Sequence, residues 1–287
     1  MAACLPAAAA VIWFSGCPLA DSGASEPAAA GGFIRSASGS ATVWAVGDGA
    51  DGGAAARRVT RRIQRSGVDR LLYLGDVYES GTASEFARNY APTYGRLAAR
   101  TAPTPGNHEW PRHREGYDPY WKKVTGRTTP SFYSFRAGGW RLISLNSESP
   151  HGSGSPQLKW LRKQLQGPGT CRLLFWHRPR FSAGKHGDQP DVQPFWDALA
   201  GHAALVVNGH DHNMQRLRPH GGTTEFVAGS GGHSHYSLDR GYAGLAFHDT
   251  THYGALRLRL RRGSARFAFV ATSGRTLDAG TVRCRQR

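Results

Sequence analysis

The sequence has no apolar run of about eighteen residues or more, the length that a membrane-spanning helix needs, which excludes a multi-span membrane protein. It is also short of acid: 20 Asp and Glu stand against 36 Lys and Arg, a formal net charge of +16 over 287 residues. Cysteine is scarce, with four in the chain, and Cys4 and Cys17 both fall near its start. There is no internal repeat. What remains suffices for a core: 39% of residues are hydrophobic and 10% aromatic, so the chain is not wholly disordered. At roughly 150 residues per domain the length allows two domains, but α/β proteins of about 250 residues often form one. The sequence reads as one folded domain, residues 41–287, behind a tail, residues 1–40.

That tail is rich in small residues: Ala, Gly, Ser and Pro fill 26 of its 40 positions, a composition that cannot support a packed core. Leu5 to Phe14 is a short apolar stretch followed by Ser15, Gly16 and Cys17. It is too short to span a bilayer stably and suits the apolar region of an export signal. The small residues before Cys17 are similar to a lipoprotein cleavage site, at which Cys17 would carry a membrane anchor. Phe14 and the lack of Lys or Arg ahead of the stretch depart from that pattern. The expectation is an exported protein, extracellular or at the cell surface. Cys171 and Cys284 then remain, and two cysteines in an exported domain more often pair than stay free; two buried thiols are the alternative.

Apolar runs at Thr42 to Val46, Leu71 to Leu74, Cys171 to Trp176 and Ala204 to Val207 predict buried strands. Phe132 to Phe135, Trp140 to Leu145 and Glu225 to Ala228 predict further strands. Helices are expected at Ala54 to Arg65, Ala83 to Ala99 (with Pro92 at a start or kink), Pro156 to Gln166 and Pro194 to Ala200. Towards the end Leu alternates with Arg in Ala255 to Leu260, and Arg266 to Ala271 alternates around Phe267 and Phe269. Together these predict an antiparallel hairpin, with Thr281 to Cys284 as a further strand. Strands alternating with helices first and antiparallel strands later predict two packed sheets flanked by helices.

Polar residues cluster where the apolar runs stop. Asp48 and Asp76 follow the first two runs, Asn107-His108-Glu109 follows a Pro-Gly turn, His177 follows the Leu173 to Trp176 run, and Gly209-His210-Asp211-His212 follows Leu205 to Asn208. Ligands in open α/β sheets gather beyond the carboxyl ends of the strands. Five chain segments each delivering a carboxylate, carboxamide or imidazole point to one site, with the mixed O and N donors that suit first-row transition metals. There are enough donors for two ions, and a carboxylate can bridge cations about 3.5 to 4 Å apart.

The ordered series Gly47-Asp48, Gly75-Asp76, Gly106-Asn107-His108-Glu109, His177 and Gly209-His210-Asp211-His212 resembles the calcineurin-like metallophosphoesterase superfamily, and within it the purple acid phosphatase branch and its bacterial relatives. The resemblance implies a four-layer α/β/β/α sandwich of two packed mixed β-sheets, with the metals at the strand C-terminal ends. It implies a monomeric hydrolase of small phosphate monoesters, with phosphodiester hydrolysis on the same metal core as the alternative. Asp48 and His212 would bind the first ion, Asp76 would bridge, and Asn107, His177 and His210 would bind the second. A metal-bound hydroxide would attack phosphorus in line. His108 would stay off the ions and contact phosphate or protonate the leaving group, and His186 falls near a substrate histidine of related phosphatases.

Two departures from the family pattern bear on the metals. Position 50 is Ala50, where many members carry a histidine. The purple branch has a tyrosine three residues past the bridging aspartate, whereas Tyr78 is two past Asp76. With Tyr78 as a ligand the first ion is Fe(III); without it Zn(II), Mn(II) or Fe(II) fits, and the pair is Fe with Zn, Mn or Fe. Around the site, Arg178 could clamp a phosphate oxygen, and His233 and His235, in a Gly-rich loop, line either the pocket or the surface. Trp110, Tyr117, Tyr120 and Trp121 read as core packing, with stacking on an aromatic leaving group as the alternative.

Two other motifs fail on inspection. Gly47-Asp48-Gly49-Ala50-Asp51-Gly52 matches a dinucleotide fingerprint, but places two carboxylates where a pyrophosphate would sit. His108-Glu109 lacks the second histidine of a zinc protease helix, position 112 being arginine. The basic charge offers a rival of another class, a nucleic-acid- or surface-binding protein with a structural metal site. Against it, no base-stacking aromatic pattern accompanies the charge.

Overall fold

The structure, a computed structural model, describes Met1 and residues 32–285. The expected export segment with Cys4 and Cys17 lies outside the described residues. Packing starts ahead of the expected domain boundary at residue 41. Phe33 and Ile34 are buried in the main core, and Ala37 forms a bridge with Ala137. The stretch 33–40, read as linker, therefore lies on the domain, because its two adjacent large apolar residues have a core to enter.

In chain order the elements are β1 (Ala41–Val46), α1 (Ala54–Arg65), β2 (Arg70–Tyr73), α2 (Ala83–Glu85), β3 (Thr101–Pro103), α3 (Tyr117–Thr125), β4 (Tyr133–Ala137), β5 (Trp140–Ser144), α4 (Pro156–Gln164), β6 (Arg172–Phe175), α5 (Gln193–Leu199), β7 (Leu205–Asn208), β8 (Met214–Leu217), β9 (Thr224–Ala228), β10 (Leu245–Asp249), β11 (Gly254–Arg261), β12 (Ser264–Ala271) and β13 (Thr276–Arg283). They form a six-stranded sheet, β13-β12-β11-β1-β2-β3, and a seven-stranded sheet, β10-β8-β9-β7-β6-β5-β4. Both are mixed: β1, β2 and β3 run parallel, as do β5, β6, β7 and β9, while the outer strands add antiparallel.

The central parallel strands are short and buried on both faces, as Leu71-Leu72-Tyr73 and Leu205-Val206-Val207 show. One core lies between the sheets and beneath α1. A second, built from Ile143, Leu158, Leu161, Leu174, Phe195 and Trp196, packs α4 and α5 on the outer face of the seven-stranded sheet. The result is the expected α/β/β/α layering.

Local chemistry fixes the helix ends. Ser155 accepts the Leu158 amide at 3.2 Å and Pro156 opens α4. The helix expected over Ala83 to Ala99 is broken instead. Thr82 and Glu85 form a capping box, the chain then makes a wide turn over Phe86–Tyr90, and a 3-10 helix covers Tyr94–Arg100. Pro92 has no amide to carry the α-helical ladder through.

Candidate metal centre

All five predicted polar clusters emerge from the carboxyl ends of parallel strands: Asp48 after β1, Asp76 after β2, Asn107 and His108 after β3, His177 after β6, and His210 and His212 after β7. The β1, β2 and β7 exits hold their functional residue in the left-handed region, with φ of 59° at Asp48, 67° at Asp76 and 71° at His210. That is uncommon for non-glycine residues and concentrates at functional sites. The preceding glycines let the exits close on each other. A Cβ on Gly75 would stand 2.6 Å from the Gly106 amide nitrogen and 2.8 Å from His177 Nδ1, and one on Gly209 would stand 2.6 Å from Asp48 Oδ2.

The side chains fall into two groups that share Asp76. In one, Tyr78 Oη lies 2.9 Å from His212 Nε2 and 3.3 Å from Asp76 Oδ2, and His212 Nε2 is 3.7 Å from Asp48 Oδ1. In the other, His177 Nε2 lies 3.0 Å from Asn107 Oδ1, 3.1 Å from His210 Nδ1 and 3.4 Å from Asp76 Oδ1. Donor atoms of Asp48, Asp76 and His177 come within 4.8 Å of one another.

Neighbouring groups set the tautomers. His177 Nδ1 meets the Leu74 carbonyl at 2.7 Å and His212 Nδ1 the Ser234 carbonyl at 2.8 Å, so both Nδ1 atoms donate and both Nε2 lone pairs face the cluster. Burial pushes His212 down to about 3 and His210 lower still, with the neighbouring His177 ring adding to the effect at His210. Burial and the Asp76 charge drive the Asp48 carboxyl well above its usual range. Asp48 and Asp76 are 0% and 2% exposed, and among the described residues no Lys or Arg forms an ion pair with either. Two buried carboxylates facing inward lone pairs, with no cationic side chain, are a donor set that a metal cation fits and that nothing else in the described structure neutralises.

The remaining predicted residues are distributed unevenly. His108 stands at the mouth, its Nδ1 2.6 Å from the Glu79 carbonyl and its Nε2 3.9 Å from Asp76 Oδ2. His186 stacks on His210 at 4.2 Å, and burial lowers its proton affinity. His233 packs on Tyr78 at 4.2 Å. Arg178 commits its Nε to both oxygens of Glu148, at 2.9 and 3.1 Å, so the guanidinium is held by a carboxylate. His235 is not brought to the cluster: its ring stacks on Tyr253 at 4.3 Å. Tyr236 of that loop also reaches a predicted ligand, lying 3.7 Å over His212 with 14° between the rings. Tyr117 and Trp121 are core, as expected.

Two carboxylates escaped the sequence reading. Glu109 accepts the backbone amides of Asp76, Val77 and Gly106 and so ties the β2 and β3 exits together. Burial, with the Asp76 charge, raises it to about 8. Asp211 accepts the Ser182 hydroxyl and the His186 amide, joining the loop after β6 to the His210-His212 turn. Their place inside the motifs was the available signal. In the fingerprint-like loop after β1, Asp51 Oδ1 accepts the Gly53 amide at 2.6 Å, so a carboxylate stands just ahead of α1, where a pyrophosphate would have to sit.

Two mixed sheets with this donor cluster at their strand ends define a metallophosphoesterase scaffold. The calcineurin-like phosphoesterase family model matches residues 41–214, and the chain belongs to that family. It is 26% identical over 137 residues to the Fe(3+)-Zn(2+) purple acid phosphatase 12 of Arabidopsis thaliana, which covers 40% of this chain and 29% of the relative. The chain thus spans under a third of that relative's length. In fold it is similar to the purple acid phosphatase PPD1 of yellow lupin, with a TM-score of 0.70, 18% identity, and coverage of 87% of this chain and 55% of that one. It is equally similar to GAP50 of Plasmodium, the anchor in the inner membrane complex, with a TM-score of 0.71, 14% identity, and coverage of 87% and 90%.

Proposed function

We propose that the chain is a phosphoric-ester hydrolase that acts on small phosphate monoesters with two transition-metal ions. The observation that carries this reading is the division of the donors about Asp76. Asp48, His212 and Tyr78 would hold one ion, Asn107, His177 and His210 the other, and Asp76 would serve both. Ions bound there would supply Lewis-acid stabilisation of the phosphoryl oxygens and acidify water. Fe with Zn, Mn or Fe fits the donors.

The chain's own groups do the rest. Glu109 and Asp211 hold the ligand-bearing turns at fixed spacing, which pre-orients the donors. His108, held by the Glu79 carbonyl at Nδ1 and 29% exposed, has Nε2 3.9 Å from Asp76 Oδ2, from where it would deliver a proton to the leaving oxygen. His186 and His233 flank the opening and would contact phosphate. Export of the folded unit behind a processed tail, with Cys17 as an anchor point, belongs to the same reading. It is supported by the Cys171–Cys284 disulfide, a feature of oxidising compartments. Among the described residues no helix is long and apolar enough to cross a membrane.

The test is hydrolysis of an aryl phosphomonoester and the matching diester by metal-reconstituted protein, with and without chelator. Faster, chelator-sensitive monoester turnover, lost in His210→Ala, is the expected result. Faster diester turnover would transfer the function to a phosphodiesterase, and full activity in His210→Ala would overturn the ligand assignment.

A further inference from the structure

The arginines outside the metal centre are arranged rather than scattered. Basic charge here is almost all guanidinium, since five of the 36 Lys and Arg residues are lysine. On the outer face of the six-stranded sheet, Arg259 of β11 sits directly opposite Arg266 of β12. Like charges in that position are destabilising. The row continues to Thr42 on β1 and Thr281 on β13. The next row is Trp44, Arg257, Ala268 and Ala279, so small residues leave a cleft of ≈280 Å³ floored by Ala268, Ala279 and Gly280 and walled by Arg257, Arg259 and Arg266.

Helix α1 borders the same face. Trp44 Nε1 donates to the carbonyl of Gly67, just past α1, and the Arg257 guanidinium lies 5.8 Å from the same indole. The helix has no acidic residue and carries like charges at i, i+4: Arg57, Arg61 and Arg65, then Arg58 and Arg62. Arg62 Nε donates to the Thr272 carbonyl, placing a second cleft, of ≈330 Å³ and lined by Arg58, Arg61 and Arg65, against the β12–β13 turn. Among the described residues, none of Arg58, Arg61, Arg65, Arg257, Arg259 and Arg266 forms an ion pair with a carboxylate. The two acids nearby are engaged elsewhere. Asp278 points to the opposite face and binds Arg216 at 2.7 Å, and Asp69 accepts the Thr42 amide at 2.7 Å.

We propose that this arginine face binds an extended phosphodiester chain through its backbone. Alternate residues of a strand advance ~6.8 Å, so Arg257 and Arg259 offer one planar, bidentate donor per step on the scale at which such a chain repeats. The threonine hydroxyls beside them are further phosphate donors. No large hydrophobic side chain is exposed on this face to stack on bases or enter a bilayer, since Trp44 is buried and Phe267 is 8% exposed. Recognition is therefore of charge and spacing. The inference does not depend on the hydrolytic reading.

The experiment is anisotropy of a short labelled oligothymidylate, and of its abasic counterpart, titrated with the full chain over a range of salt. Two triple variants accompany it: Arg257→Gln/Arg259→Gln/Arg266→Gln, and Arg88→Gln/Arg96→Gln/Arg240→Gln, exposed arginines off this face that remove the same charge. Equal binding of both probes is expected. The face variant should lower the slope of log K against log salt by about 2, at ~0.7 per phosphate contact, while the off-face variant changes it little. Should the face variant misfold, Arg58→Gln/Arg61→Gln/Arg65→Gln serves in its place. Equal losses in the face and off-face variants would reduce the effect to net charge and overturn the site. Strong preference for the base-bearing probe would overturn backbone recognition. Tighter binding to phosphatidylglycerol vesicles, lost in the face variant, would assign the surface to a membrane instead.

Discussion

Tyr78 decides the character of the proposed first metal position. Its hydroxyl lies between His212 Nε2 and Asp76 Oδ2, although it follows Asp76 by one residue fewer than the purple branch's interval. Burial and the Asp48 and Asp76 charges hold the phenol protonated in the protein alone, so only a strongly acidic cation would take it as phenolate. Protein reconstituted with Fe(III) should therefore show a visible tyrosinate charge-transfer band, and Tyr78→Phe should lose it while keeping its packing on His108 and His233. A colourless wild type with full iron occupancy would remove Tyr78 from the ligand set. At this scale the sequence was informative where side chains act at strand ends, since order and spacing carry through folding. It was silent on Tyr236, Glu109 and Asp211, whose roles depend on which loops meet. For His235 and Arg178 it left the surroundings open for the same reason: being near in sequence to the cluster does not set which partner a side chain meets, here Tyr253 and Glu148.

Single elements position the loops, and β9 is the clearest case. Glu225 on this buried strand accepts the amides of Arg180 and Phe181, fixing the segment that leads to His186. Burial raises its carboxyl to about 8, against the pull of those two amides. The unfolded chain releases this proton near 4.5 and the folded chain only near 8. Between those values the native state holds the extra proton, so stability falls as pH rises, by at most ~1.4 kcal/mol per pH unit from this group. Urea unfolding at pH 5, 6.5 and 8 should show a shallower fall in Glu225→Gln than in the wild type. Parallel slopes would mean that Glu225 is already ionised in the folded protein. The strands with strong apolar runs were legible, as were α1 and α4 with their apolar faces. The three-residue β3, the four-residue β8 and the partly exposed β10 were not, since tertiary pairing rather than their own pattern makes them strands. Pro92 marked a break, but a proline does not specify the geometry of the chain beyond it.

Over the whole molecule the two sheets are joined covalently at the end away from the metal centre. Cys284 follows β13, an edge strand that is mostly exposed, and is bonded to Cys171 at the entry to β6, with a sequence separation of 113. At the same point the Thr170 amide donates to the Arg285 carbonyl at 2.8 Å and the Arg285 amide donates to Thr170 Oγ1 at 2.9 Å. Closing a loop of that length stabilises by ~4 to 5 kcal/mol in the chain-entropy model, and by ~2 to 4 kcal/mol in typical measurements. His177 lies at the other end of β6, about 13 Å of strand away. Stability and activity should therefore separate. Cys171→Ser/Cys284→Ser should unfold at lower urea by an amount equivalent to ~2 to 4 kcal/mol and lose its response to reductant. At low temperature it should keep wild-type turnover of an aryl phosphate, because β6, β7 and β9 still align the strand ends. Loss of turnover in a variant that remains folded would show that the link also holds the two sheets in register at the site. An unchanged unfolding midpoint would show that the native packing of β13 already does the work of the bond.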